Sequence, residues 1–333
     1  MEPTAKPIVA LIGCGGTISS LGSNPLDTTN YRLGAKLRVA ELLERFPEAS
    51  EYAEIIPMDF SSVGSSAFGP PEWFDLRALI LGLAKKEIDG CVILHGTATL
   101  EETAFFLHLT LALSFPVILV GAQRPASAVS SDAGMNLISA VRVAASSKFP
   151  AGGVFVVMND EIHSARDAVK TSNHRLQTFQ SPNSGPVGQI DGDGVKIYRF
   201  IAGHNGLLAE SMNGRRAADL PRVEIIYSYA GSDGALIDAA VSAGARGIVS
   251  AGLAPGVATP GELQAYRRAA ANGVVIVQCS RAHSGRVVSG RYTNDEAIIP
   301  ADNLTPQKAR IFLSLCLLEG CSALQVAQRF GAC

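Results

Sequence analysis

Two threonines and a lysine carry the reactive chemistry that this chain offers. The apolar run Pro7 to Ile12 ends in Gly13-Cys14-Gly15-Gly16-Thr17, and the run Gly90 to Leu94 ends in His95-Gly96-Thr97. Each reads as a buried strand that gives way to a glycine turn and presents a hydroxyl at the strand's carboxyl end. Open α/β sheets carry their chemistry at that end. A threonine hydroxyl is a weak nucleophile, so it needs a base or a cation beside it to ease the loss of its proton. Lys170, within Arg166-Asp167-Ala168-Val169-Lys170-Thr171, is the candidate, because it sits on a short polar segment after a strand rather than on a helix. A lysine desolvated in a cleft can act as a base. Spacing alone leaves a second reading open, in which Lys170 is a solvated surface side chain and the threonines are turn or cap residues.

The turn Gly13-Cys14-Gly15-Gly16 admits two uses. Its pattern invites phosphate binding, but the third glycine of the dinucleotide fingerprint is missing, and Leu21-Gly22-Ser23-Asn24-Pro25 breaks any helix that would follow. In the other use the glycines let backbone N–H groups come close to a substrate oxygen while Thr17 points into a cleft. Leu21 to Leu33, polar and turn-rich and holding Tyr31, reads as a loop able to close over that cleft.

The elements that must position these residues follow from the hydrophobic pattern. Strands are expected at Pro7 to Ile12, Glu54 to Met58, Gly90 to Leu94, Pro116 to Val120 and Gly153 to Met158. Helices are expected at Val39 to Phe46, from near Pro70, at Leu100 to Leu113 and at Ala133 to Ser146. Glu101 and Glu102 fall in the first turn of the third helix, where acids offset the helix dipole. Asn159 to Asn173 reads as a polar segment. This alternation predicts an α/β fold with a larger N-terminal domain built on a mostly parallel, doubly wound sheet. A composition shift between Ile201 and Pro221 suggests a catalytic domain over 1–200, a linker over 201–222 and a smaller C-terminal α/β domain over 223–333. In that second domain strands are expected at Val223 to Tyr227, Gly247 to Ala251 and Val274 to Gln278. Helices are expected there near Gly234 to Ala243 and Pro260 to Ala271, with a final pair over Thr305 to Phe330.

Composition narrows the function. With 333 residues, 47% hydrophobic and 17% charged, the chain can bury two cores. A net charge of −2 gives no basic footprint, which argues against a nucleic-acid partner. No apolar run reaches the roughly 18 residues that span a bilayer, and Met1 to Pro7 carries no apolar export segment, so the expectation is a cytoplasmic protein without a membrane partner. The six cysteines show no CxxC or Cys/His metal spacing and read as buried, reduced thiols. The six histidines are isolated; His95 reads as a hydrogen-bonded structural residue, and no metal or organic cofactor is implied.

Several stretches, in order along essentially the whole chain, resemble the bacterial L-asparaginase family. They are Gly15-Gly16-Thr17-Ile18, Asn30-Tyr31, His95-Gly96-Thr97 with Thr99-Leu100-Glu101-Glu102-Thr103-Ala104, Val120-Gly121-Ala122-Gln123-Arg124-Pro125 and Arg166-Asp167-Ala168-Val169-Lys170-Thr171. Further on come Tyr227-Ser228-Tyr229, Gly247-Ile248-Val249-Ser250-Ala251-Gly252 and Thr305-Pro306-Gln307-Lys308-Ala309-Arg310. The resemblance implies a two-domain amidohydrolase with Thr17 as the attacking residue and Tyr31 beside it. Thr97 and Lys170 would form a second hydroxyl–lysine pair, the Thr97 N–H would be an oxyanion donor, and Ser65 would hold a substrate carboxylate. It also implies a homodimer or homotetramer acting on a small amide.

The departures redirect that expectation. Where the family places an aspartate for the substrate's α-ammonium, this chain has Ala98. The residue after the substrate-binding serine, commonly Gln or Asp, is Ser66, and the usual acid after it is Ala67. The family's Gly-x-Gly-Asn-Gly becomes Gly252-Leu253-Ala254-Pro255-Gly256, and the region of the partner subunit's acid falls near Arg291-Tyr292. A buried ammonium without a counter-anion costs several kcal/mol. The sequence therefore predicts an amide substrate lacking a free α-amino group, bordered by Gly16, Ser65, Ser66, Gly96 and Ala98, with Arg291 as a further anchor for its acid group. The alternatives are a conventional L-asparaginase and a catalytically inactive binding protein on the same fold.

Overall fold

Runs of apolar residues too long to alternate need cover on both faces, and here they form the centre of a sheet. The computed structural model describes residues 5–31, 35–149, 152–199, 206–288, 290, 295 and 297–333. The chain forms two units, Met1–Met212 and Asn213–Cys333. In the first, β1 (Ile8–Gly13) is followed by α1 (Val39–Arg45), β2 (Glu54–Asp59), α2 (Pro70–Leu83), β3 (Gly90–Leu94), α3 (Leu100–Thr110), β4 (Pro116–Val120), α4 (Ala133–Ala144) and β5 (Gly153–Met158). Every residue of β3, β4 and β5 is buried. Burying each Val, Leu or Ile side chain contributes about 1.5–3 kcal/mol. The strand β2 differs: it pairs only with β1, is largely exposed, and holds Pro57, which an edge strand tolerates because one side of it needs no ladder.

The strands β2, β1, β3, β4 and β5 lie side by side in that order and run parallel. Because β1 sits between β2 and β3, the chain leaves it in one direction and returns on the other side, which opens a crevice at the carboxyl ends of β1 and β3. The segment expected to be merely polar, Asn159 to Asn173, instead holds β6 (Glu161–Ser164) and β7 (Val169–Lys170). Asn159 and Asp160 adopt φ of 52° and 63°, the left-handed pair that a two-residue hairpin turn needs, so the chain reverses and β6 joins β5 antiparallel. Short β8 (Phe179–Gln180) pairs with β7, and β9 (Gly188–Asp191) and β10 (Gly194–Ile197) extend the large sheet antiparallel to eight strands. Of the stretch 201–222, residues 201–205 lie outside the described residues, and Leu208 and Met212 are buried.

The second unit is a parallel sheet of β11 (Val223–Tyr227), β12 (Gly247–Gly252), β13 (Val275–Ser280) and β14 (Ile298–Pro300), in that order. Helices α5 (Ala235–Ser242), α6 (Pro260–Ala271), α7 (Pro306–Leu318) and α8 (Ala323–Ala332) accompany it. The short strand β14 was not apparent from the sequence; at three residues it is below the length at which periodicity shows. Buried Glu262, in the first turn of α6, accepts from the Thr259 N–H (3.0 Å) and from the hydroxyls of Ser228 (2.9 Å) and Ser232 (2.8 Å). That carboxylate joins the end of β11 to α6, and its three donors compensate its burial.

Candidate active site

The two glycine turns meet at the crevice. The Cys14 N–H donates to the Leu94 carbonyl at 2.8 Å, which carries the β1–β3 pairing past the end of the sheet. Gly16 has φ of 98°, and a Cβ built on it would stand 2.5 Å from both the Cα and the N of Gly96. Only glycine serves at Gly16, on conformation and on space. This contact brings Thr17 and Thr97 to the same crevice from strands β1 and β3.

Thr17 opens a single 3-10 turn, Thr17–Ser19, and its Oγ1 lies 3.0 Å from the Tyr31 hydroxyl. Tyr31 is held by a cross-braced loop. The Asp27 carboxylate accepts from the N–H groups of Asn30 (2.8 Å), Thr29 (3.2 Å) and Ser23 (3.3 Å) and from the Ser23 hydroxyl (3.0 Å). Those donors, the Asn30 N–H foremost, hold its carboxyl below the usual carboxylate range. The loop also seats on its neighbour: Gly22 N–H donates to Ser127 Oγ at 2.7 Å and Val129 N–H to the Pro25 carbonyl at 3.0 Å. Of the segment expected to close over the cleft, Arg32 and Leu33 lie outside the described residues.

Thr97 is buried, and the Lys170 ammonium donates to its Oγ1 at 2.7 Å. Lys170 sits on β7, and its backbone N–H donates to Glu101 Oε2 at 2.6 Å. Glu101 is thus more than a counter to the helix dipole. Buried in the first turn of α3, it ties the lysine's backbone to the helix that follows Thr97. Sequence reading missed this link because the two residues are 69 positions apart.

His95 is a structural residue beneath the turn. Gly96 O can only accept, so His95 Nδ1 donates to it (2.8 Å), and Nε2 accepts from the Thr103 hydroxyl (3.1 Å), which itself accepts from Trp73 Nε1 (2.9 Å). Burial pushes the imidazolium's pKa down to about 4, so the ring is neutral at physiological pH. Phe68 packs edge-on against it, with ring centroids 4.5 Å apart.

Thr17, Tyr31, Thr97 and Lys170 line one cavity of about 440 Å³, together with Gly16, Ser65, Ser66, Gly96 and Ala98. Arg291 lies outside the described residues. Ser65 is placed by Thr99, whose hydroxyl donates to the Ser65 carbonyl at 2.7 Å, and its own Oγ would stand 2.7 Å from a Cβ on Gly96. The backbone N–H groups of Gly16, Thr17, Gly96, Thr97 and Ala98 donate to no acceptor among the described residues. Such a concentration of unspent donors at two strand ends suits a developing oxyanion or a bound carboxylate.

Residues 8–202 match the family model of the asparaginase N-terminal domain, and residues 222–330 that of the glutaminase/asparaginase C-terminal domain. The chain belongs to the asparaginase family. It is an amidohydrolase of the type that acts on the C–N bonds of linear amides. It is 37% identical over 315 residues to a probable periplasmic L-asparaginase of Haemophilus influenzae, covering 94% of this chain and 89% of that one. It is 34% identical over 328 residues to L-asparaginase 2 of Escherichia coli, covering 98% and 93%. The crystal structure of a probable cytoplasmic L-asparaginase from Campylobacter jejuni superimposes with a TM-score of 0.90 at 32% identity, over 98% of this chain and 99% of the other.

The cavity of this asparaginase-family chain has a marked electrostatic bias. Lys36 and Lys170 line it, with His174 and Gln123, and among its described lining residues there is no Asp or Glu. Sequence reading did not single out Lys36, Gln123 or His174 as site residues: Lys36 and His174 end no apolar run, and Gln123, which does follow the run Pro116 to Val120, brings an amide rather than a hydroxyl or an ionisable group. The Gln123 backbone N–H is held by both oxygens of Asp132 (3.1 and 2.9 Å), while its buried Nε2 has no partner among the described residues.

Proposed function

We propose that this protein hydrolyses a carboxylic amide through an acyl-enzyme formed on Thr17, and that its substrate lacks a free α-ammonium. The observation that carries the reading is two supported hydroxyls on one cavity: Thr17 beside Tyr31, and Thr97 beside Lys170. Thr17 Oγ1 attacks the amide carbon, and the carbonyl oxygen takes its developing charge to the Thr97 N–H. Tyr31 takes the Thr17 proton as its own phenolic proton passes on to the departing nitrogen, so the proton lost by Thr17 is the one with which the nitrogen leaves as ammonia. The Lys170 ammonium, held on Thr97, stays charged and offsets the developing negative charge. Water then attacks the threonyl ester and releases the acid, restoring the hydroxyl. A purely binding protein has no use for two such pairs.

The substrate follows from charge. Ala98 offers no anion, and the described lining of the cavity holds none, so an ammonium would be desolvated without a partner at a cost of several kcal/mol. Ser65 is suited to anchor a carboxylate, with Arg291 as a further proposed anchor. Monoamides of dicarboxylic acids and N-acylated asparagines fit this requirement. The second reading, hydrolysis of L-asparagine itself, is favoured by relatives that bear the name L-asparaginase at 34–37% identity. We further propose a cytoplasmic homodimer or homotetramer; four of its cysteines are buried thiols, and among the described residues no helix is long and apolar enough to cross a membrane.

The test is ammonia release by the purified protein from L-asparagine, succinamate and N-acetyl-L-asparagine. Thr17→Ala is expected to abolish turnover on all three while leaving ligand binding in place. Efficient turnover of L-asparagine, with none of the other two, overturns the substrate assignment; turnover that survives Thr17→Ala overturns the nucleophile.

A further inference from the structure

Lys36 stands out in the cavity because the reaction as described does not use it. Its backbone forms an antiparallel bridge with Ser20, three residues beyond Thr17, so its Cα is fixed at the base of the Tyr31 loop. Its ammonium reaches over to donate to the Ser62 carbonyl. Ser62 precedes Ser65 by three residues on the same short connection, and Gly64, Ser65 and Ser66 line the cavity with Lys36. A lysine ammonium has three hydrogens, and one carbonyl takes one of them. Lys36 forms no ion pair with any described carboxylate, and the cavity wall holds none for it. Lys36 also lines a second cavity with Ser62 and Asp59, whose Oδ1 accepts from the Val39 N–H, so an acid group that meets Lys36 on the Thr17 side has to arrive with the ligand.

We propose that Lys36 binds the carboxylate of the substrate together with the Ser65 hydroxyl, and thereby selects acid amides over neutral ones. The substrate class is then an ω-amide with a carboxylate at its other end. This inference rests on the reading of the cavity as the site of amide hydrolysis, but not on the absence of an ammonium. A charge-assisted hydrogen bond from a cation to a carboxylate discriminates more strongly than a neutral one, and truncating the cation removes that preference. A lysine that served only as a latch between the Tyr31 loop and the Ser62 connection would affect all substrates alike.

The experiment compares succinamate with succinamide, which replaces the carboxylate by a neutral amide at equal length, in the wild type, Lys36→Met and Lys36→Arg. Lys36→Met is expected to lower the preference for succinamate, read as the ratio of the two KM values, by about ten- to a hundredfold. Lys36→Arg restores most of it, because the guanidinium keeps the charge. If L-asparagine proves to be the substrate, the pair of L-asparagine and its α-carboxamide reads the same ratio, so the α-ammonium reading falls while the role of Lys36 is still decided. If no amide is hydrolysed, thermal stabilisation by succinate decides it: lost in Lys36→Met it supports the proposal, retained it overturns it. Equal KM shifts for the acidic and neutral amides, with Arg no better than Met, also overturn it.

Discussion

Ala98→Asp is the substitution that asks most directly what this cavity accepts. Ala98 follows Thr97, is exposed and lines the cavity, so an aspartate there meets no packed neighbour and needs no rearrangement of the core. It would place the first carboxylate among the described lining residues, in a wall that now holds Lys36 and Lys170. A hydrogen bond between an ammonium and a carboxylate is worth about 1.5–3 kcal/mol, which is about ten- to 150-fold in kcat/KM for L-asparagine. The same charge faces the carboxylate of succinamate without any ammonium between them, so kcat/KM for that amide is expected to fall. The assay is ammonia release at substrate concentrations well below KM, with Ala98→Asn as the neutral control of nearly equal size. The ratio of kcat/KM for L-asparagine to that for succinamate should rise at least tenfold in Ala98→Asp and change little in Ala98→Asn. A rise below threefold, or a wild type that already prefers L-asparagine to succinamate, refutes the argument from the missing anion.

Two further outcomes test the scaffold. Gly16→Ala sets a Cβ 2.5 Å from the Gly96 backbone at φ of 98°, so it is expected to cost about 2–5 kcal/mol from left-handed strain and overpacking together. It should lower Tm and reduce turnover more than a thermal shift alone explains; a variant with wild-type Tm and activity would show that the two turns are not in close contact. His95 contributes a pH dependence of known sign. Its folded pKa of about 4 lies below the unfolded value of about 6.5, so the unfolded chain binds more protons in that window. This contribution is fully present above pH 6.5 and is lost as pH falls toward 4, with about 2 kcal/mol gone between pH 7 and pH 5. Chemical denaturation at both pH values should show His95→Gln losing about 2 kcal/mol less than the wild type across that interval; parallel losses would mean the ring is not buried as a neutral group.

Much of this arrangement was legible in residues adjacent along the chain. Buried parallel strands are continuous apolar runs, and β3, β4 and the start of β5 fall where those runs begin and end. Glycine turns at strand ends marked Thr17 and Thr97, because a hydroxyl after a glycine at the end of a buried run is a local pattern. The antiparallel strands, β6, β9 and β10 of the large sheet and the separate pair β7 and β8, were not legible. The strands β6 to β10 are two to four residues long, too short to display a period, and the reversal that starts them depends on Asn159 and Asp160 taking left-handed conformations.

The sequence by itself determined the family, the alternation of strands and helices and the residue types proposed to carry the chemistry, since each is written in short runs of neighbouring residues. Only the tertiary structure decided which of those residues meet. The pairing of Lys170 with Thr97 spans 73 positions, its backbone tie to Glu101 spans 69, and the reach of Lys36 to Ser62 spans 26. Contacts of that kind depend on strand order and loop closure, which no local run of side chains encodes. The same holds for the charge of the cavity, which is a sum over segments that folding alone brings to one place.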